Sequence, residues 1–83
     1  MLSPNAVLLS DGKIGDVIKI KSLHLTGFMR RRLMDLGFLP GVTVKILQKS
    51  PLGDPIAYHV NHTTIALRKE ESSQIMGELV NHE

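Results

Sequence analysis

The sequence predicts a mainly β fold, a small barrel or sandwich with one short α-helix inserted after the first core strand. Three observations carry that prediction. β-Branched residues recur in short runs, and turn signals built on Gly, Pro and Asn separate those runs at intervals of roughly eight to twelve residues. The apolar period switches to that of a helix once, between Thr26 and Gly37. The 83 residues suffice for one domain, and a chain of this size buries only about 60% of the surface its unfolded form exposes, which leaves little room for an enclosed active site.

The elements follow in order. Residues 1–11 carry Pro4 and Asn5 without a sustained period and read as an N-terminal arm, with a short edge strand around Val7 to Leu9; the domain itself is expected over residues 12–83. Gly12 and Gly15 punctuate the start of the first core strand, Asp16 to Leu23. There the β-branched content outweighs an imperfect alternation of Val17, Lys19 and Lys21 with Ile18, Ile20 and Ser22. Across Thr26 to Gly37, Met29, Leu33 and Leu36 recur at i, i+4 and i+7 and form one helical stripe. Thr26 fits the N-cap. Gly37 fits the left-handed position just past the helix, where Phe38 can pack back on the last turn.

Leu39-Pro40-Gly41 reads as a turn, proline fixing φ at the first corner and glycine supplying positive φ at the second. In the next strand Val42, Val44 and Ile46 alternate with Thr43, Lys45 and Leu47, until Pro51, Gly53 and Pro55 break the ladder. Ile56 to Val60 is the return strand. Asn61-His62 then takes the place of a two-residue hairpin turn leading into Thr63 to Leu67. Lys69 to Ser73 is a single helical turn, and Ile75 to Val80 closes the fold despite Gly77.

Composition narrows the function. Cysteine is absent, so no disulfide or thiolate metal site can form. Ten Lys and Arg against eight Asp and Glu leave a net charge of +2, weak for a protein that neutralises phosphates. Phe28, Phe38 and Tyr58 are the whole aromatic set, too few and too dispersed for a base-stacking platform. The early apolar run Ala6 to Leu9 is far short of the roughly 20 residues that cross a bilayer and has no basic flank, so a cytoplasmic protein is expected. No Gly-x-Ser-x-Gly, His-Glu-x-x-His or paired-carboxylate arrangement appears, and Pro51 to Pro55 lacks the Gly-Lys-Ser/Thr ending of a P-loop. An enzyme is not expected.

Two groups of residues invite a sharper reading. Arg30, Arg31 and Arg32 could clamp a phosphate or an acidic partner, but successive helical residues diverge by about 100°, so the three fan around the helix and cannot all grip one anion. Arg31 lies opposite the apolar stripe, one turn before Asp35, and pairs with it as surface decoration. Arg32 flanks the stripe, so its stem can pack on the barrel while the guanidinium reaches carbonyls or a partner. Imidazoles with carboxylates would suit ferrous iron or zinc, yet His59 and His62 straddle the end of a strand, and His24 and His82 lie in loop or tail. The spacing leaves any metal ligands unassigned.

Three blocks in order, Arg32-Leu33-Met34-Asp35-Leu36-Gly37-Phe38-Leu39-Pro40-Gly41, then Pro51-Leu52-Gly53-Asp54-Pro55-Ile56, then Ile65-Ala66-Leu67-Arg68, resemble the FeoA family over roughly half the chain. The resemblance implies an SH3-like β-barrel with its helix after the first core strand. It also implies a non-catalytic accessory role in bacterial ferrous iron uptake, docking on the cytoplasmic side of the GTP-binding membrane transporter FeoB, and places the protein in the cytoplasm or peripherally at the inner membrane through that partner. A proline-peptide groove is not expected, because such grooves need a row of aromatics. The partner-binding face is placed on Arg32, Leu36, Gly37, Phe38, Leu39, Pro40 and Gly41. Two alternatives stand beside it: a sensor or carrier of ferrous iron or another divalent transition metal, and a small SH3-like nucleic-acid-binding module.

Overall fold

In the computed structural model, which describes residues 5–80, the β-branched runs become six strands: β1 (Ala6–Leu8), β2 (Val17–Leu23), β3 (Thr43–Lys49), β4 (Ile56–Val60), β5 (Thr63–Leu67) and β6 (Ile75–Val80). Helix α1 (Gly27–Asp35) follows β2, and the single turn α2 (Lys69–Ser72) precedes β6. All strands join one antiparallel sheet in the order β1-β6-β2-β3-β4-β5. The expected arm contributes β1, paired on β6, and a 3₁₀ turn at Leu9–Asp11 whose Leu9 is fully buried. Pro4 and His82 lie outside the described residues.

Alternation along the strands selects one apolar face. Ile18 and Ile20 of β2, Val44 and Ile46 of β3, and Ile56, Tyr58 and Val60 of β4 point inward and are buried, with Leu67 and Ile75 from the neighbouring strands. Burying each such side chain stabilises the fold by about 1.5–3 kcal/mol relative to leaving it exposed. The broken alternation in β2 has a structural cause: its pairing with β6 shifts register between Ile20 and Ser22. A bulge of this kind bends and twists a strand, and here it curls the sheet around the core. A second shift, between Ile46 and Gln48 of β3, does the same against β4.

Curling brings β2 and β6 unusually close. A Cβ placed on Gly77 would lie 2.5 Å from Ile18 Cγ2 and 2.6 Å from the Lys19 carbonyl oxygen. Gly77, unusual inside a strand, is therefore what lets β6 lie this close against β2 in their ladder. The hairpin between β4 and β5 forms as expected, with Asn61 at φ 52° and His62 at φ 62°. The loop after β3 is held by its own polar atoms: Asp54 N–H donates to Ser50 Oγ at 3.1 Å, and Gly53 N–H to the Ser50 carbonyl at 2.7 Å. The Asp54–Pro55 peptide is cis.

A candidate partner-binding face at the end of helix α1

Helix α1 ends through a hydrogen-bonded pattern its sequence dictates. Phe38 N–H donates to the Leu33 carbonyl at 3.0 Å and Gly37 N–H to the Met34 carbonyl at 3.0 Å, with Gly37 at φ +112°. This pair of bonds is the Schellman cap, which closes the last carbonyls and needs a residue that tolerates positive φ. At the other end Thr26 occupies the N-cap but its side chain makes no capping bond. The helix is also shorter than the stripe suggested, ending at Asp35, because Leu36 already serves as the C-cap.

The cap fixes the segment that follows. Val42 N–H donates to the Leu39 carbonyl at 3.0 Å across Pro40 and Gly41, a type II arrangement with Gly41 at φ +92°. Gly41 N–H donates to the Ile20 carbonyl at 2.7 Å and Ile20 N–H to the Val42 carbonyl at 2.8 Å, so the turn is stitched to β2. Gly37 sits against the β4–β5 hairpin, where a Cβ would meet Asn61 Cβ at 3.2 Å.

The seven residues of the expected face divide in their surroundings. Leu39, Pro40 and Gly41 are exposed, and Leu36 and Gly37 are half-buried. Phe38 is fully buried and packs edge-on against Tyr58, with centroids 6.2 Å apart and planes at 88°. Its ring has no surface to offer a partner and instead supports the turn from beneath. Arg32 does not reach a carbonyl. Its Nη1 donates to Glu71 Oε2 at 3.0 Å, while Glu71 Oε1 accepts from Arg68 N–H at 3.0 Å.

Glu71 is only 8% exposed, and sequence reasoning missed it. The signal was available, since Glu71 stands three residues after the N-cap Arg68, where a glutamate can reach back to the N-cap amide. Asp54 also joins this corner, Oδ1 accepting from Lys69 N–H at 2.9 Å. One polar residue from each of the three sequence blocks, Arg32, Asp54 and Arg68, thus meets at the start of α2. Nearby, burial pushes the Tyr58 phenol up to about 12; a hydrogen bond with Ser72 lowers it and the Asp54 carboxylate raises it.

The remaining candidates stay apart. Ion pairs among the described residues are Arg32–Glu71 and Lys21–Glu78, so the expected Arg31–Asp35 pair is not made. His59 lies exposed on β4, His62 on the hairpin turn, and His24 Nε2 is 3.0 Å from Ser22 Oγ. Among the described residues no three His, Asp or Glu side chains converge as metal ligands. None of their helices is long and apolar enough to cross a membrane.

Comparison with known proteins gives a consistent result. The FeoA domain family matches residues 7–79. A Porphyromonas gingivalis Fe(2+) transport protein A/Fe(2+) transporter FeoB fusion protein is 33% identical over 72 residues, which are 87% of this chain and 8% of the fusion protein. The solution structure of FeoA from Chlorobium tepidum superimposes with a TM-score of 0.86 at 35% identity, covering 93% of this chain and 73% of that one. FeoA from Stenotrophomonas maltophilia, solved with zinc and described as a procaryotic SH3 domain protein, gives a TM-score of 0.73 at 30% identity, covering 84% of this chain and 87% of that one.

Proposed function

The chain belongs to the FeoA family, and on that premise we propose that it is a non-catalytic accessory protein of ferrous iron uptake that docks on the cytoplasmic side of a FeoB-type transporter. The observation that carries this reading is the fusion relative, in which a segment 33% identical to this chain is covalently joined to FeoB. Linking two modules in one polypeptide raises their effective concentration, which is useful only where they associate.

The docking face is built on Leu36, Gly37, Leu39, Pro40 and Gly41, with Phe38 beneath them and Arg32 at their edge. A turn fixed by its cap and by β2 presents its apolar atoms with little left to order on binding, and that saving favours affinity. Arg32 is a poor probe of the face, because removing it strips a partner from the buried Glu71.

The test is anaerobic titration of the full chain against the intact FeoB-type transporter of its organism in nanodiscs, with and without guanine nucleotide and Fe²⁺. Wild type should bind, and Leu39→Asp should bind about tenfold or more weakly, as loss of a central apolar contact does. Leu52, 94% exposed on the loop after β3, supplies the control, with Leu52→Asp binding like wild type. Absence of binding in every condition would sink the docking reading, and equal loss in both variants would move the face elsewhere.

A further inference from the structure

The three adjacent arginines of α1 do different things. Arg32 turns to Glu71, whereas Arg30 and Arg31 both line an open pocket of about 370 Å³ together with Gly27, Met34 and Asp35. With successive residues about 100° apart, these five positions share one side of the helix, opposite the Met29, Leu33 and Leu36 stripe. Two features of the pocket call for a ligand. Arg30 is half-buried, and its buried Nη1 has no hydrogen-bond partner among the described residues, a state that is unfavourable until an acceptor arrives. Arg31 is exposed and makes no ion pair among the described residues.

We propose that this pocket receives a single carboxylate, an Asp or Glu side chain of the docking partner, held by the guanidinium groups of Arg30 and Arg31. The inference rests on the docking reading and adds the chemistry of one contact. Two guanidinium groups against the Asp35 carboxylate leave the pocket a formal surplus of one positive charge, which matches a monoanion. A phosphate dianion would exceed that surplus and face Asp35 as well. The planar guanidinium fork suits a carboxylate, which it can grip through two parallel N–H bonds. Half-buried Met34 offers a polarisable apolar wall to the stem of the acidic side chain.

The experiment measures affinity of the full chain for the nanodisc-embedded transporter at low and high salt. It compares wild type, the Arg30→Gln/Arg31→Gln double variant, and a Lys13→Gln/Lys45→Gln control that removes equal charge from exposed positions elsewhere. Glutamine keeps nearly the helix propensity of arginine, and matched thermal melts of all three verify folding. Loss of charge-assisted bonds should weaken the arginine variant about tenfold or more and flatten its salt dependence, with the control within about twofold of wild type. Wild-type affinity in the arginine variant overturns the pocket while leaving docking intact. Displacement of the transporter by inorganic phosphate, but not by acetate at equal ionic strength, overturns the carboxylate assignment. A wild-type chain that binds no transporter at all removes the docking reading and this contact together.

Discussion

Tyr58 carries a hydroxyl into the core beside Leu9, Ser72 and Asp54, and its titration reports how well that site excludes water. The phenol donates to the Leu9 carbonyl at 3.4 Å, a weak bond. Burial dominates and raises its pKa from 10.0 to about 12. Below the lower value both folded and unfolded chains hold the proton, so the stabilisation is complete and independent of pH. Between the two values the unfolded chain releases the proton and the folded one keeps it. Stability therefore falls as pH rises through this window, by about 2–3 kcal/mol for a shift of this size. Tyr58 is the only tyrosine, so tyrosinate absorbance follows it alone. Urea midpoints for wild type and Tyr58→Phe, measured across the window, should diverge, the wild type losing the larger part; parallel curves would mean that the hydroxyl is hydrated in the fold.

At the level of elements, the end of α1 shows how far local sequence reaches. Gly37 is committed twice, by φ +112° and by its contact with Asn61 Cβ. Gly37→Ala should lower stability by at least about 1–2 kcal/mol from backbone strain, with the clash added. Gly53→Ala, at φ +85° with nothing within 4 Å of the added Cβ, should suffer only the strain, and equal urea midpoints for the two would show that the hairpin contact carries no energy. The cap, the Leu39–Val42 turn and the Asn61-His62 hairpin were legible because each is decided by residues within six positions of one another. Long-range facts were not. Nothing local says that β6 inserts between β1 and β2. Local sequence shows that Phe38 folds back on its helix, but the other wall of its site, Tyr58, comes from a strand twenty positions on, so nothing local distinguishes a ring on the face from one in the core. That adjacent arginines fan apart is local helix geometry, but only tertiary structure supplies Glu71 to one member and a shared pocket to the other two.

Across the whole molecule stability is distributed unevenly: the proposed arginine contact sits on the less secured part, helix α1, and the turn of the docking face on the part stitched to β2. β4 buries Ile56, Tyr58 and Val60 among its five residues, and β2 is paired on both sides. Helix α1 buries one of nine residues, Leu33, and exposes Phe28 at 83%. An element with so little apolar anchorage opens locally before the sheet does. Amide exchange should therefore show α1 amides exchanging through openings of lower free energy than those of β2 and β4, and with little denaturant dependence, since local opening exposes little surface. The Gly41 and Val42 amides of the turn should exchange with the sheet, because β2 holds the turn, whereas the Phe38 amide, bonded to the Leu33 carbonyl of α1, should open with the helix. A common exchange free energy for α1 and β4 would refute this division. If the division holds, partner binding to Arg30 and Arg31 should raise protection throughout α1 while leaving β4 unchanged, since a ligand that binds only the closed helix stabilises it by mass action.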